Sequence, residues 1–311
     1  MFSAVLAGAT ALELSDSTDT VRFWLLILCA LPAFGFGLAE DITKGISPRR
    51  RLFFTALSAG LAIWLLDGAV TRTAIPGIDT LLQFAPFAVA LTILAVTGVA
   101  NAINIIDGFN GLASMCVLMM MLALAYVAFQ VNDSLVLSAS LIVAGAILGF
   151  FVWNYPAGLI FLGDGGAYLL GFLLAELAVL LVIRNPAVSP IFALLLCSYP
   201  IFETIFTMYR RKVVRGTATA APDGIHLHTL IHRRVVRWLF DATGERRLTA
   251  RNSMTAPYLW LLCLTAVVPA VLWWNNTAML TGFLILFVIG YVLLYRSIVR
   301  FKTPKWLISR R

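Results

Sequence analysis

The three histidines of the chain all fall in one heptapeptide, His226-Leu-His228-Thr-Leu-Ile-His232. Asp223-Gly224 precede it, and Arg210, Arg211, Lys212, Arg215, Arg233 and Arg234 surround it. Histidines at i, i+2 and i+6 do not share a helical face, which argues against a zinc-binding helix. Imidazoles among arginines suit a diphosphate ligand, by charge and by hydrogen bonding. A basic loop lying on anionic headgroups would account for the arginines. It would not account for the gathering of every histidine.

Three further motifs carry carboxylates. In Glu40-Asp41, followed by Lys44, two adjacent acids at a helix end can hold a metal or take a proton from an attacking oxygen. Taken alone, the pair favours a solvated helix end with an ordinary charge pair. Asn101-Ala-Ile-Asn104-Ile-Ile-Asp107-Gly108-Phe109-Asn110-Gly111 sets Asn101, Asn104 and Asp107 at intervals of three, which a helix end would stack on one face. Two glycines three residues apart allow a tight turn there. In Phe161-Leu-Gly163-Asp164-Gly165-Gly166, an Asp among glycines can ligate Mg²⁺ while backbone N–H groups meet phosphate. Carboxylates, amides, glycine turns, histidines and arginines together are equipment for phosphoryl transfer.

These residues must be positioned by membrane helices. Of 311 residues, 61% are hydrophobic and 12% charged, and mean hydropathy is +0.93. A soluble domain is roughly half apolar and a quarter charged, so that class is excluded. Nine apolar runs, near 22–39, 52–70, 81–99, 112–130, 135–152, 166–183, 190–208, 256–274 and 278–295, approach the roughly 20 residues a bilayer span needs. Lipid offers backbone groups no partners, so each is expected to be a helix. The expected fold is an all-α transmembrane bundle, one domain over 1–311, with a basic loop at 209–255 and a basic tail at 296–311.

Connection 40–51, loop 209–255 and tail 296–311 hold 20 of the 23 Lys and Arg residues. Nine spans put all three on one face, read as cytoplasmic by the positive-inside rule, with the N-terminus outside. The same alternation puts loops 100–111 and 153–166 on that face, so every polar motif shares it. The cysteines Cys29, Cys116, Cys197 and Cys263 lie in apolar runs without metal-ligand spacing and read as fillers. Residues 1–12 lack the basic leader of a cleavable signal peptide. Small residues on the helices permit a homodimer, and no nucleic-acid partner is expected.

The four motifs, in this order, resemble those of the polyprenyl-phosphate N-acetylhexosamine-1-phosphate transferases. The matching pieces are Gly37–Asp41 with Ser47–Leu52, Asn101–Ala113, Phe161–Gly166 and Pro222–His228, and the resemblance covers roughly residues 22–300. It implies a bacterial inner-membrane enzyme with a cytoplasmic site. A polyprenyl phosphate attacks the β-phosphate of a UDP-N-acetylhexosamine, releasing UMP, with Mg²⁺ (or Mn²⁺) required. By motif matching, Asp41 resembles the carboxylate that activates the lipid phosphate and Asp164 the main Mg²⁺ ligand, with Asp107 beside it. Asn104 and Asp107 resemble nucleotide and catalytic-site residues, Phe161 the uracil stacker, and His226 and His228 the diphosphate contacts. Glu40, Lys44, Asn110, Arg210 and Arg211 complete the expected substrate-binding set.

Three departures stand out. The usual Asp-Asp pair is Glu40-Asp41. The second Asp of the Asp-Gly-x-Asp-Gly turn is Asn110. Relatives carry about two further spans ahead of the first motif, so this chain begins late. The Pro-Asp-x-x-His-Leu-His form resembles the O-antigen, enterobacterial-antigen and capsule branch, implying UDP-GlcNAc or a modified UDP-HexNAc rather than UDP-MurNAc-pentapeptide. Two rival readings are a catalytically impaired lipid-binding homologue and a transporter. A transporter would use the charges within spans, Glu176 and Glu203, but no inverted repeat accompanies them.

Overall fold

A computed structural model describes residues 1–14, 19–45, 47–214, 226–236 and 245–300, and every regular element among them is helical. Arg215, Pro222, Asp223, Gly224 and the tail beyond Arg300 lie outside the described residues. In chain order the helices are α1 (Phe2–Leu14), α2 (Thr20–Thr43), α3 (Pro48–Leu66), α4 (Pro76–Leu81), α5 (Ala85–Ile106), α6 (Leu112–Gln130), α7 (Ser134–Asn154), α8 (Gly163–Arg184), α9 (Pro190–Leu196) and α10 (Ser198–Tyr209). There follow α11 (Leu227–Ile231), α12 (Glu245–Ser253), α13 (Ala256–Leu272) and α14 (Thr277–Arg300).

Among the described residues, seven segments are long and apolar enough to cross a bilayer: α2, α5, α6, α7, α8, the run Thr249–Leu272 that ends with α13, and α14. The bent pair α9 and α10, which turns by 69° at its break, makes an eighth if it counts as one span. The second expected span, near 52–70, corresponds to α3. It forms a 19-residue helix but falls outside that measure, because Arg49, Arg50 and Arg51 crowd its first turn. The third expected span also begins later than its apolar run. Leu81 closes the short helix α4, and Pro86 in the first turn opens α5, where a missing N–H costs nothing. At its other end α5 runs on to Ile106, so Asn101 and Asn104 lie on a helix and not in a loop.

α8 is the enclosed post of the bundle. Buried residues make up 89% of its apolar stretch, against 17% for α14. Its first turn lies backbone to backbone against α2: a Cβ on Gly37 would fall 2.7 Å from the Asp164 carbonyl. Only glycine permits that approach.

The chain alternates between two ends. At one, the end of α2 meets the start of α8 and the end of α5 meets α11. At the other, Arg72 donates through Nη2 to the carbonyls of Val182, Asn185 and Val188 at 2.8, 2.9 and 2.7 Å. Helix C-termini leave carbonyls without intrahelical partners, and this guanidinium supplies them. Nearby, Arg184 pairs with Asp133, the N-cap of α7, at 2.8 Å.

Candidate active site

Three carboxylates from three helices gather at the first of these ends. Asp41, in the last turn of α2, accepts the N–H of Asp164 at 2.8 Å and that of Gly165 at 3.0 Å. It thus caps α8 from another helix, satisfying two of the donors that a helix start leaves open. Asn104, near the end of α5, donates through Nδ2 to the Asp164 carboxylate at 2.5 Å. The Tyr168 hydroxyl donates to the Asn104 amide oxygen at 3.4 Å. One turn on, Asp107 caps the C-terminus of α5. Burial raises its pKa to about 7, reinforced by the charges of Asp164 and Asp41. Of the three residues expected to share a helix face, Asn104 reaches Asp164 and Asp107 caps the helix, while Asn101, one turn earlier, donates instead to Thr55 at 3.3 Å.

The histidine segment closes over the Asp107-Gly108 turn. His226 precedes α11, and its Nδ1 lies 3.1 Å from the Glu203 carboxylate of α10. The same Glu203 oxygen accepts the Leu227 N–H at 3.0 Å, and the other accepts the Tyr291 hydroxyl of α14 at 2.5 Å. The His226 and His228 rings stack with centroids 5.1 Å apart. His228 is buried, with Nε2 so close to Gly108 that a Cβ there would sit at 3.1 Å. Burial pushes its pKa down to about 4, so it is neutral at pH 7. Phe109 packs edge-on against His228 and tilted against His232.

Other expected site residues are engaged in holding the frame. Glu40 is buried and ion-paired with Arg51, tying α2 to α3. Lys44 is exposed and closes α2 in a left-handed conformation, its N–H reaching the Glu40 carbonyl at 2.8 Å. Asn110 is buried. Its N–H donates to Asn252 at 2.9 Å and its side-chain amide to Ser253 at 3.2 Å, both of α12. Arg210 is buried and donates to the Tyr295 hydroxyl at 2.6 Å, and Arg211 beside it is also buried. Phe161 stands 78% exposed just before α8, free to stack on a flat ligand.

The structure therefore brings Asp41, Asn104, Asp107 and Asp164 together, with His228 against the turn of Asp107 and His226 stacked on His228. Reading the sequence missed Arg51, Tyr168 and Asn154. Asn154 accepts the Gly111 N–H at 2.6 Å and so shapes the turn after Asn110. An acid inside an apolar run did mark Glu203, though its partners were invisible. Among the described residues no three His, Cys, Asp or Glu side chains converge to hold a metal by themselves.

A polytopic helical membrane protein with a carboxylate and histidine site at one end of its bundle is the class these features define. The chain belongs to glycosyl transferase family 4, which its residues 23–182 match. It is 28% identical, over 73% of its length and 62% of the relative's, to a probable undecaprenyl-phosphate N-acetylglucosaminyl 1-phosphate transferase of Bacillus subtilis. It is 29% identical, over 68% of its length and 62% of the relative's, to an undecaprenyl-phosphate alpha-N-acetylglucosaminyl 1-phosphate transferase of Thermotoga maritima. A phospho-N-acetylmuramoyl-pentapeptide-transferase of Streptococcus thermophilus is 28% identical over 61% of this chain and 56% of its own. The chain thus spans about three-fifths of the length of these relatives.

Proposed function

We propose that this protein transfers N-acetylhexosamine 1-phosphate from a UDP-sugar to undecaprenyl or another polyprenyl phosphate, releasing UMP and forming a polyprenyl-diphosphate sugar. Such a step initiates a cell-envelope polysaccharide. The observation that carries the reading is the meeting of Asp41, Asp107 and Asp164, from three separate motifs, under the histidine segment. The names of the two relatives first described favour UDP-GlcNAc, or a modified UDP-HexNAc, over UDP-MurNAc-pentapeptide.

In this reading an oxygen of the lipid phosphate attacks the β-phosphorus. The bond from that phosphorus to the oxygen bridging to the α-phosphate breaks, and UMP leaves with both electrons. A phosphate monoester is mostly ionised at neutral pH, with a second pKa of about 6, so the nucleophile needs orientation more than deprotonation. Asp41 contributes by fixing the start of α8, and Asn104 by orienting Asp164. The histidines meet diphosphate oxygens, and Phe161 stacks on uracil.

The donor set fits Mg²⁺ (or Mn²⁺). Asp107 and Asp164 are close enough for the second to disfavour ionisation of the first, a repulsion that a divalent cation relieves. Mg²⁺ commonly takes one or two carboxylates and fills its shell with water and substrate phosphates, so two protein ligands suffice. When bound, the cation neutralises charge developing on the phosphates.

The same proposal puts the protein in a bacterial inner membrane with the site on the cytoplasmic face. The basic connections at the site end support that orientation. The N-terminus, expected outside, shares the site's end of the bundle instead, because α1 runs antiparallel to α2 with Met1 against Gly166 at the start of α8 and Phe2 stacked on Phe34.

The test is UMP release by purified protein given undecaprenyl phosphate, Mg²⁺ and a panel of UDP-HexNAc donors. Turnover with at least one donor, abolished by EDTA and by Asp164→Asn, is expected. Full activity in Asp164→Asn, or turnover without metal, discredits the site. Silence with every donor turns the reading towards a lipid-binding homologue without catalysis.

A further inference from the structure

Glu203 is fully buried, with 0% of the residue exposed, in the bent pair α9 and α10. An acid in such a place is costly unless it is satisfied. Both oxygens here have donors. Oε1 takes the Leu227 N–H at 3.0 Å and faces Nδ1 of His226 at 3.1 Å, while Oε2 takes the Tyr291 hydroxyl at 2.5 Å. Three elements, α10, α11 and α14, thus converge on one carboxylate.

An ionised carboxylate only accepts hydrogen bonds. The His226 nitrogen facing it must therefore carry a proton. Thr207 Oγ1, 3.3 Å from the same nitrogen, can serve as a second acceptor. We infer that Glu203 is a positioning residue, which locks His226 with its proton on Nδ1 and so dedicates Nε2 to the substrate side. Free imidazole has no such constraint, and the two nitrogens play distinct parts only where something fixes the tautomer.

The role reaches further than one ring. His226 lies flat on His228, with 6° between ring planes, and His228 abuts the Asp107-Gly108 turn. Glu203 thereby sets the height of the histidine segment over the carboxylates. Its contribution to turnover rests on the transferase reading, but the tautomer does not.

The chain has three histidines, so uniform ¹⁵N-histidine labelling, with a tag free of histidine, yields three imidazoles to resolve by NMR. His226 is assigned by its loss in His226→Gln. At pH 8 the wild-type His226 is expected to be protonated on Nδ1, and Glu203→Ala to move it to a mixture rich in the Nε2–H form. A wild-type His226 lacking the Nδ1 proton overturns the inference, even if Glu203→Ala does not fold. So does a spectrum unchanged by Glu203→Ala.

Activity supplies a second arm. Loss of such an orienting partner typically costs about 10–100-fold, and that drop in kcat/KM is expected for Glu203→Ala. In a His226→Ala background the same substitution is expected to cost under about threefold, because the residue it serves is gone. Fully additive losses would mean that Glu203 acts independently of His226. Inactivity of the wild type with all donors counts against the transferase reading and leaves the NMR result standing.

Discussion

Asp41 binds the main chain of Asp164 and not its side chain, one carboxylate oxygen accepting the Asp164 N–H at 2.8 Å. The second oxygen is taken by the next N–H, at 3.0 Å. The first acid therefore builds the platform from which the second works. Losing a side-chain cap costs about 1 kcal/mol. Asp41→Ala is expected to lower the stability of the detergent-solubilised protein by about that much, on top of any loss of turnover, while Asp41→Asn keeps part of the stability. Thermal unfolding of the two variants beside wild type measures it; equal melting temperatures for wild type and Asp41→Ala would remove the capping role.

Gly163 gives a second way to disturb the same junction. Its φ is +69°, and a Cβ there would lie 2.6 Å from Oδ2 of Asp41. A left-handed conformation costs a side-chain-bearing residue roughly 1–2 kcal/mol, and the clash adds to it. Gly163→Ala is expected to lose stability and UMP release together, because Asp41 must leave α8 to make room. Retained activity at wild-type stability would show that the contact is dispensable.

Asp107 and His228 oppose each other as pH changes. The folded chain protonates Asp107 at about 7, whereas the unfolded chain does so near 3.8. Between those values the folded form holds the extra proton, so acid stabilises it. His228 has the opposite sign: the unfolded chain takes the proton near 6.5 and the folded chain at about 4, so acid destabilises. In EDTA the two slopes offset one another between pH 6.5 and 4. Asp107→Asn removes one of them, and its stability is expected to fall more steeply with acid than that of wild type. Mg²⁺ added to wild type favours ionised Asp107 and is expected to steepen the wild-type curve likewise. Parallel denaturation curves for wild type and Asp107→Asn in EDTA would contradict the assignment of Asp107.

Asn110 and Phe161 separate frame from contact. Asn110 is buried and bonded to Asn252 and Ser253, and orphaning such groups costs about 1–3 kcal/mol. Asn110→Ala is expected to show up in the melting temperature, with the KM for the UDP-sugar nearly unchanged. Phe161 is 78% exposed, and stacking on a base is worth about 1–3 kcal/mol. Phe161→Ala is expected to leave stability alone and raise that KM by about tenfold or more. Exchange of the two phenotypes would reverse the roles assigned here.

Much of this was legible in the chain, for identifiable reasons. Hydrocarbon forces apolar runs to be helices, so α2, α5, α6, α7, α8, α13 and α14 follow from composition. The motif carboxylates were legible because polar residues packed between spans are expensive unless used. The break at Cys197 and the late start of α5 were not, since both depend on how neighbours pack. Nor was the engagement of Asn110, whose partner Asn252 lies 142 residues away. Glu203 was visible as an oddity and became intelligible only beside His226 and Tyr291.

The guanidinium of Arg72 fastens the far end of α8 by three carbonyls at once. At 1.5 Å per residue, that rivet sits about 30 Å from Asp164. With one end pinned and the other plugged by Asp41, the central rod behaves as an anvil. Under the proposed transfer, substrates of different bulk would be accommodated by the segments around it, 155–162 and the histidine stretch 226–236. Breeding a new sugar preference into this scaffold is therefore a task for those flanking segments, and recutting the rod would forfeit its alignment.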